Sequence, residues 1–357
     1  MKRPKILLAL FRMPYPITDG TRYKLLNNVA SGLKELYDIE FFIVTIRPIP
    51  TEDLRYLEET YGRVHVFYHS VLSFVCNSIS VLWKWIPFQS AAYYFRDARK
   101  WFEAHADAYD GVYTHEIRMT EYAIRLPEKQ KKKILVDFND AISLSYKASL
   151  KHLSGVSGFL KKIFYSVEGN LVSRYETKVL RSFTHFNIVS IRDRQYLLAK
   201  ATGVSQSITF SAIRHGVALP KRGAPLDEAN LFFMGNLDYA PNRDALVFFL
   251  EHIWPRVKVR LPKLEFFIIG RGKSLEVADD RVHHLGFVSD IFSILSKCGL
   301  LVAPIRFGGG APSKIIESMG YGLPVLTTDI GVAALEEKGG DAIYRASEND
   351  IDAWVSY

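Results

Sequence analysis

Cysteine is nearly absent: Cys76 and Cys298 are the two in 357 residues. Two thiols exclude a disulfide framework and a four-thiolate zinc site, and they suit a reducing compartment. Long apolar runs are missing too. No stretch reaches the roughly 18 apolar residues of a membrane span, and the nearest, Val71 to Phe88, is broken by Asn77, Lys84 and Pro87. The start imitates a signal peptide, with Lys2, Arg3 and Lys5 before Ile6 to Phe11. That apolar run is too short and meets Arg12 and two prolines where a cleavage site would need small residues, so it reads as a first buried strand. There is no short-period repeat, no Gly-Lys-Ser/Thr phosphate loop, no convincing Asp-x-Asp pair for a catalytic divalent metal and no nucleic-acid reader motif. The expectation is therefore an absence of metal and cofactor, and no nucleic-acid partner.

What is present is the balance of a folded protein, 48% hydrophobic and 24% charged, which excludes a disordered chain. At roughly 150 residues per domain the length implies two domains. Charge is divided unevenly between them. Residues 1–220 carry a net +11 and residues 221–357 a net −3. A surplus in one half attracts an anionic partner. The basic half also interleaves Trp83, Trp85, Phe88, Tyr93, Tyr94, Phe95 and Trp101 with Lys84, Arg96, Arg99 and Lys100. Such a mixture suits a bilayer headgroup zone, or else a core helix with solvated charges.

Apolar strands and amphipathic helices alternate along both halves. Lys5–Phe11 is a continuous apolar strand of the kind buried on both faces of a parallel sheet. Leu25, Leu26, Val29, Leu33 and Leu36 recur at helical spacing. Further strands are expected at 40–46, 64–68, 111–114, 134–137, 186–190 and 208–214. The basic run 129–133 reads as a solvated loop, and residues 143–182 as mostly helical. Pro220, Gly223 and Pro225 mark a linker over 218–229, between an N-terminal domain 1–217 and a C-terminal domain 230–357. The alternation then restarts, with strands at 231–234, 264–269, 282–285, 300–304 and 325–328 and helices at 244–259, 291–297 and 313–320. Two βα-alternating halves imply two facing doubly wound domains.

The sharpest motif follows the strand ending at Pro304. Gly308, Gly309 and Gly310 lead through Pro312 into a helix carrying Lys314 and Glu317. Glycines let a backbone approach a ligand closely, and a helix N-terminus favours phosphate. Lys314 and Glu317 lie three apart, on one helical face. A cation beside a diphosphate and a carboxylate beside ribose hydroxyls would make a nucleotide site, although a tight turn with solvated charges gives the same pattern.

The segment resembles the C-terminal signature of family 4 retaining glycosyltransferases of the GT-B fold. Glu317 matches the second of that family's two donor-binding glutamates, and Gly322-Leu323-Pro324-Val325 matches the tail. The position of the first glutamate is occupied by Gly309, as in a branch with a Gly-Gly-Gly segment. The resemblance implies that Lys314 and the amides of Gly309, Gly310 and Ala311 replace the missing carboxylate. Phe233 to Tyr239, with Gly235 and Asn236, resembles the first strand and loop of the donor domain, and Gly270-Arg271-Gly272 the turn after the next strand. Donor contacts are thereby implied for Gly235, Asn236 and Arg271. In the first half, Pro14 to Arg22 resembles the glycine loop of the acceptor domain, which places Asp19 and Arg22 on the acceptor side and Gly20 near the donor phosphates. Tyr113-Thr114-His115-Glu116 resembles a His-Glu segment of lipid-linked mannosyltransferases, which implies a catalytic His115, against the structural role open to any lone histidine. Asp137 and Asp140 contact an acceptor or cap the next helix. His215 and Gly216 resemble a hinge element.

What the resemblance implies is transfer of a sugar from a nucleotide-diphosphate sugar to a glycan or lipid-linked acceptor, with retention and without metal. The expected setting is bacterial cell-surface polysaccharide synthesis, in the cytoplasm and peripheral on the inner face of an anionic membrane. A non-catalytic nucleotide-sugar-binding protein and a GT-B nucleotide-sugar 2-epimerase are the alternatives. The family places a C-terminal helix back across the first domain, so the chain either has a short second domain or continues beyond Tyr357.

Overall fold

The computed structural model describes residues 3–18, 20–79, 85–152, 155–203, 208–211, 230–288, 290–333, 335 and 340–357. Asp19, Trp83, Lys84, His215, Gly216 and the expected linker 218–229 lie outside the described residues. The chain divides into two compact units, Met1–Gly216 and Val217–Tyr357.

The first unit holds β1 (Lys5–Leu10), β2 (Asp38–Thr45), β3 (Val64–Tyr68), β4 (Gly111–His115), β5 (Ile134–Asn139), β6 (His185–Ile188) and β7 (Thr209–Ser211). They form a parallel sheet in the order β3-β2-β1-β4-β5-β6-β7. Successive side chains of a strand point to opposite faces, and the core divides accordingly. Leu7, Ala9, Phe42 and Val44 join one cluster, with Phe102, Ile117, Tyr122, Val172 and Val179. Leu8, Leu10, Phe41 and Ile43 join the other, with Leu25, Leu26 and Leu57. Helices therefore cover both faces, which is why the central strands read as unbroken apolar runs.

The second unit holds β8 (Asn230–Met234), β9 (Phe266–Ile269), β10 (Val282–Gly286), β11 (Cys298–Ala303), β12 (Val325–Thr327) and β13 (Ile343–Arg345). Their order is β10-β9-β8-β11-β12-β13, again all parallel. Both sheets are doubly wound, as the alternation implies. In each, the strand order reverses beside the first strand, between β1 and β4 and between β8 and β11. Ligands of open α/β sheets bind at the carboxyl ends of the strands flanking such a switch point.

One expectation changes, one segment is added and one open alternative is decided. The basic run 129–133 is not simply a loop, because Pro127 opens a short helix, Glu128–Lys131. Residues after 340 contain β13 and the helix Ile351–Ser356, whose Trp354 is buried in the second core. The aromatic-basic segment is largely core. Tyr94 and Phe95 are buried, and Trp101 stacks on Phe42 at 5.5 Å, so those rings are unavailable to a bilayer.

Candidate functional site

In the second unit the switch point gathers the glycine-rich segments. β8 ends at Met234 and turns through Gly235 into the helix Ala240–Phe248; β11 ends at Ala303 and runs through Gly308–Gly310 into the helix Ser313–Gly320. Gly235 has φ +155°, and a Cβ there would lie 2.7 Å from Asn242 Nδ2 and 3.0 Å from Lys314 Nζ. Gly270 at the end of β9 has φ +144°, and its Cβ would fall 1.9 Å from the Gly235 carbonyl oxygen. Only glycine fits at either position, and the two turns close into one floor.

Lys314 is the chief polar group of that floor, 6% exposed. Its Nζ donates to Asn242 Oδ1 at 2.5 Å and sits 4.2 Å from the centre of the Phe233 ring. Asn242 is itself oriented by donating to the Asn236 carbonyl at 2.9 Å. Burial pushes the Lys314 ammonium down to about 7, against the pull of Glu317. A cation so far from water is stabilised by any anion that enters. Glu317, three residues on, is half-buried; burial raises its carboxyl, opposed by a hydrogen bond from Ser313 and by Lys314. Gly308 and Gly310 adopt φ +134° and +69°, so the glycine loop takes a path closed to other residues. Gly309 and Ala311 lie in it, half-exposed. Arg271 is exposed, its guanidinium 4.3 Å above the Phe287 ring. The structure thus brings together Gly235, Asn236, Gly309, Gly310, Ala311, Lys314 and Glu317 around one switch point. A separate apolar depression of about 920 Å³, lined among others by Leu261, Leu264 and Trp354, opens at the opposite, amino-terminal edge of this sheet.

In the first unit the polar groups cluster at the carboxyl ends of β1, β4 and β5. Asp137, expected on the acceptor side, is instead fully buried. Lys24 Nζ lies 2.7 Å from its Oδ2, Asn187 donates to Oδ1 at 2.7 Å, and the Tyr113 hydroxyl donates to Oδ2. The Lys24 charge, with His115 and the Lys24 hydrogen bond, holds the Asp137 carboxyl well below the usual range despite burial, so it is a structural anion. Neither Asp137 nor Asp140 caps the next helix, Ile142–Ser149; Glu176 accepts the Ser143 N–H at 3.0 Å instead. Asp140 is half-buried at the end of β5, and burial with Asp193 pushes it up to about 7. His115 is fully buried. It stacks on Phe11 at 5.6 Å and lies 3.6 Å from Asp137 and 3.5 Å from Glu116. Burial lowers it to about 4 against the pull of Asp137, so the ring is neutral at pH 7. Gly20 opens the helix Gly20–Tyr23. Arg22 helps tie its own loop together, donating to the Met13 carbonyl at 3.1 Å and to Thr18.

Several polar residues here escaped the sequence reading. Glu116 holds φ +58° and pairs with Arg118 and with Arg12 at 3.6 Å. Its strand-end position beside His115 was a usable signal. Lys24 gave none, because a π-helical segment, Lys24–Ala30, turns it inward. Asn242, with Pro241, belongs to the segment that resembles the donor-domain loop, but nothing in the sequence marked it as the partner of Lys314.

Among the described residues no His, Cys, Asp or Glu side chains group as a metal would need, and no helix is long and apolar enough to cross a membrane.

Comparison with known proteins gives concordant findings. Residues 228–356 match the family model described as Glycosyl transferases group 1. An uncharacterized 44.6 kDa protein in the cps region of Klebsiella pneumoniae is 21% identical over 98% of this chain and 89% of its own length. Among solved structures, HepE of Anabaena in complex with UDP and glucose superposes with a TM-score of 0.61 at 14% identity, covering 99% of this chain and 88% of that one. Sucrose-phosphate synthase of Thermosynechococcus elongatus gives 0.63 at 13% identity with the same coverage. The chain accordingly has the GT-B fold, two parallel-sheet α/β units, and its second unit carries the pattern of the group 1 glycosyl transferases.

Proposed function

We propose that the protein is a glycosyltransferase that moves a sugar from a nucleotide-diphosphate sugar to a glycan or lipid-linked acceptor in cell-surface polysaccharide synthesis. It works in the cytoplasm, and the second unit takes the donor. The observation that carries this reading is Lys314, a buried ammonium set in a glycine floor at the β8/β11 switch point. An entering diphosphate meets a positive charge already stripped of water, and the same charge stabilises the leaving nucleotide as the sugar departs. Glu317, one helical turn further, accepts from ribose hydroxyls. Retention of configuration and independence of metal belong to the same proposal. The crystallised HepE complex with UDP and glucose supports a uridine nucleotide, and the relative from a cps region supports the polysaccharide setting.

The test is incubation of purified protein with labelled UDP-, GDP-, dTDP- and CMP-sugars and a lipid extract. Transfer or donor hydrolysis with at least one nucleotide sugar is expected. Failure to bind, hydrolyse or transfer any donor in the panel would overturn the reading.

A further inference from the structure

We propose that the first unit docks on an anionic lipid bilayer through two helices, Val71–Ile79 and the amino-terminal part of Gly155–Ser182. This rests on surface geometry and charge, not on the sugar-transfer reading.

The Gly155–Ser182 helix changes surroundings along its length. From Glu168 onward, Glu168, Val172, Tyr175, Glu176 and Val179 are buried on one face of the helix. Before Glu168 a different face, rotated well away from that buried one, carries apolar side chains. Phe159, Leu160, Ile163, Phe164 and Val167 repeat at helical spacing and are all exposed, Leu160 by 67% and Phe159 by 63%. The Val71–Ile79 helix repeats the pattern, with Val71, Leu72, Val75 and Ile79 exposed and Leu72 at 73%. Both helices pack on a third, Phe88–Ala92. Phe88 meets Phe164 at 5.8 Å between ring centres, and Glu168 accepts the Phe88 N–H at 2.9 Å. The 71–79 helix packs against the same element, and its Asn77 donates to the Tyr94 carbonyl at 3.0 Å. Trp85, 70% exposed, lies in the connection to Phe88–Ala92. Large apolar side chains gathered this densely mark an interaction surface.

The charge around the patch selects the occupant. Residues 69–95 and 141–167 contain no aspartate or glutamate, yet they hold Lys84, Lys147, Lys151, Lys161 and Lys162. Lys147, Lys151, Lys161 and Lys162 are exposed. Asp97, paired with His69 at 3.4 Å, lies just outside these segments; apolar helical stripes on segments whose only strong charges are lysines match a bilayer interface with anionic headgroups, where apolar burial and electrostatic attraction add.

The experiment is sedimentation of the full chain with phosphatidylglycerol vesicles and with phosphatidylcholine vesicles, at low and high salt. Wild type should partition about tenfold or more in favour of the anionic vesicles at low salt. Leu72→Ser with Val75→Ser, and Leu160→Ser with Ile163→Ser, should each lower partition about tenfold on both vesicle types. Lys161→Glu with Lys162→Glu should abolish the preference for anionic vesicles. Val259→Ser, an equally exposed position in the second unit, should change nothing. UDP binding measured on the same samples keeps this result separate from the donor-site reading. Equal partition of wild type and patch variants would overturn the proposal. So would a wild-type dimer that the patch substitutions dissolve without altering vesicle binding, since a second copy of the chain would then own the surface.

Discussion

Lys314 sits where an ammonium is least comfortable, on the face of Phe233 with Asn242 as its hydrogen-bond partner. Its folded pKa of about 7 lies below the ordinary 10.5, so between those values the unfolded chain holds the extra proton. Stability therefore rises with pH across that window, and the burial penalty is complete below about pH 7. Lys314→Met should raise the melting temperature at pH 6, less so at pH 9, and hardly at all near pH 10.5. Thermal unfolding at several pH values measures this, and a pH-independent difference would show that the ammonium is well solvated. The same variant should lose most UDP affinity, since stability and binding pull in opposite directions at a buried binding charge. On the proposed reading, Glu317→Ala acts on the other end of the nucleotide. A charge-assisted hydrogen bond is worth about 1.5–3 kcal/mol, so donor affinity should fall roughly tenfold to a hundredfold by titration calorimetry. Unchanged affinity would remove Glu317 from the site.

Between elements, a fully buried polar link of the first unit joins Lys24, at the start of a π-helical segment, to Asp137 near the end of β5. Both side chains are fully buried. Removing one partner leaves the other charge without compensation, which costs about 3–5 kcal/mol. Lys24→Met should lower stability by that amount in urea unfolding. Adding Asp137→Asn should restore much of it, because the amide keeps hydrogen-bonding capacity without the charge. A double variant no more stable than the single one would mean that packing of Lys24, not its charge, matters there. The pair also fixes the segment after β1 against β5, which sets the backbone that carries Gly20 and Arg22.

At the scale of the whole chain, each unit has its own sheet and its own buried clusters, Met1–Gly216 with two and Val217–Tyr357 with one. Separate cores should unfold separately. Calorimetry of the full chain should resolve two transitions, and UDP at a hundredfold its Kd should stabilise the second unit by about 2.7 kcal/mol while leaving the other in place. An equal shift of both transitions would show that the units unfold as one. The net +11 of residues 1–220 against −3 in the remainder gives the chain a polarity that, on the docking proposal, turns the first unit toward the membrane.

Much of this was legible from residue order alone. Unbroken apolar runs such as Ile6 to Leu10 and Leu231 to Met234 meant strands covered on both faces, and their alternation with helices meant doubly wound sheets. The glycine turn before Ser313, and Lys314 and Glu317 three apart behind it, were fixed by local spacing, so the donor-side candidates came from the sequence as a group. Tertiary structure decided what spacing cannot express. Periodicity reports which residues share a face, not what that face meets. Asp137 looked like a strand-end carboxylate open to a ligand until strand order and a π turn brought Lys24 onto it from 113 residues away. His115 became a buried ring stacked on Phe11, kept neutral by desolvation against the pull of Asp137. The stripe of Phe159 to Val167 has the spacing of a core helix. Its outward position follows from which face of the helix the core takes up, the face of Val172 and Val179, a choice made by long-range packing and absent from the local pattern.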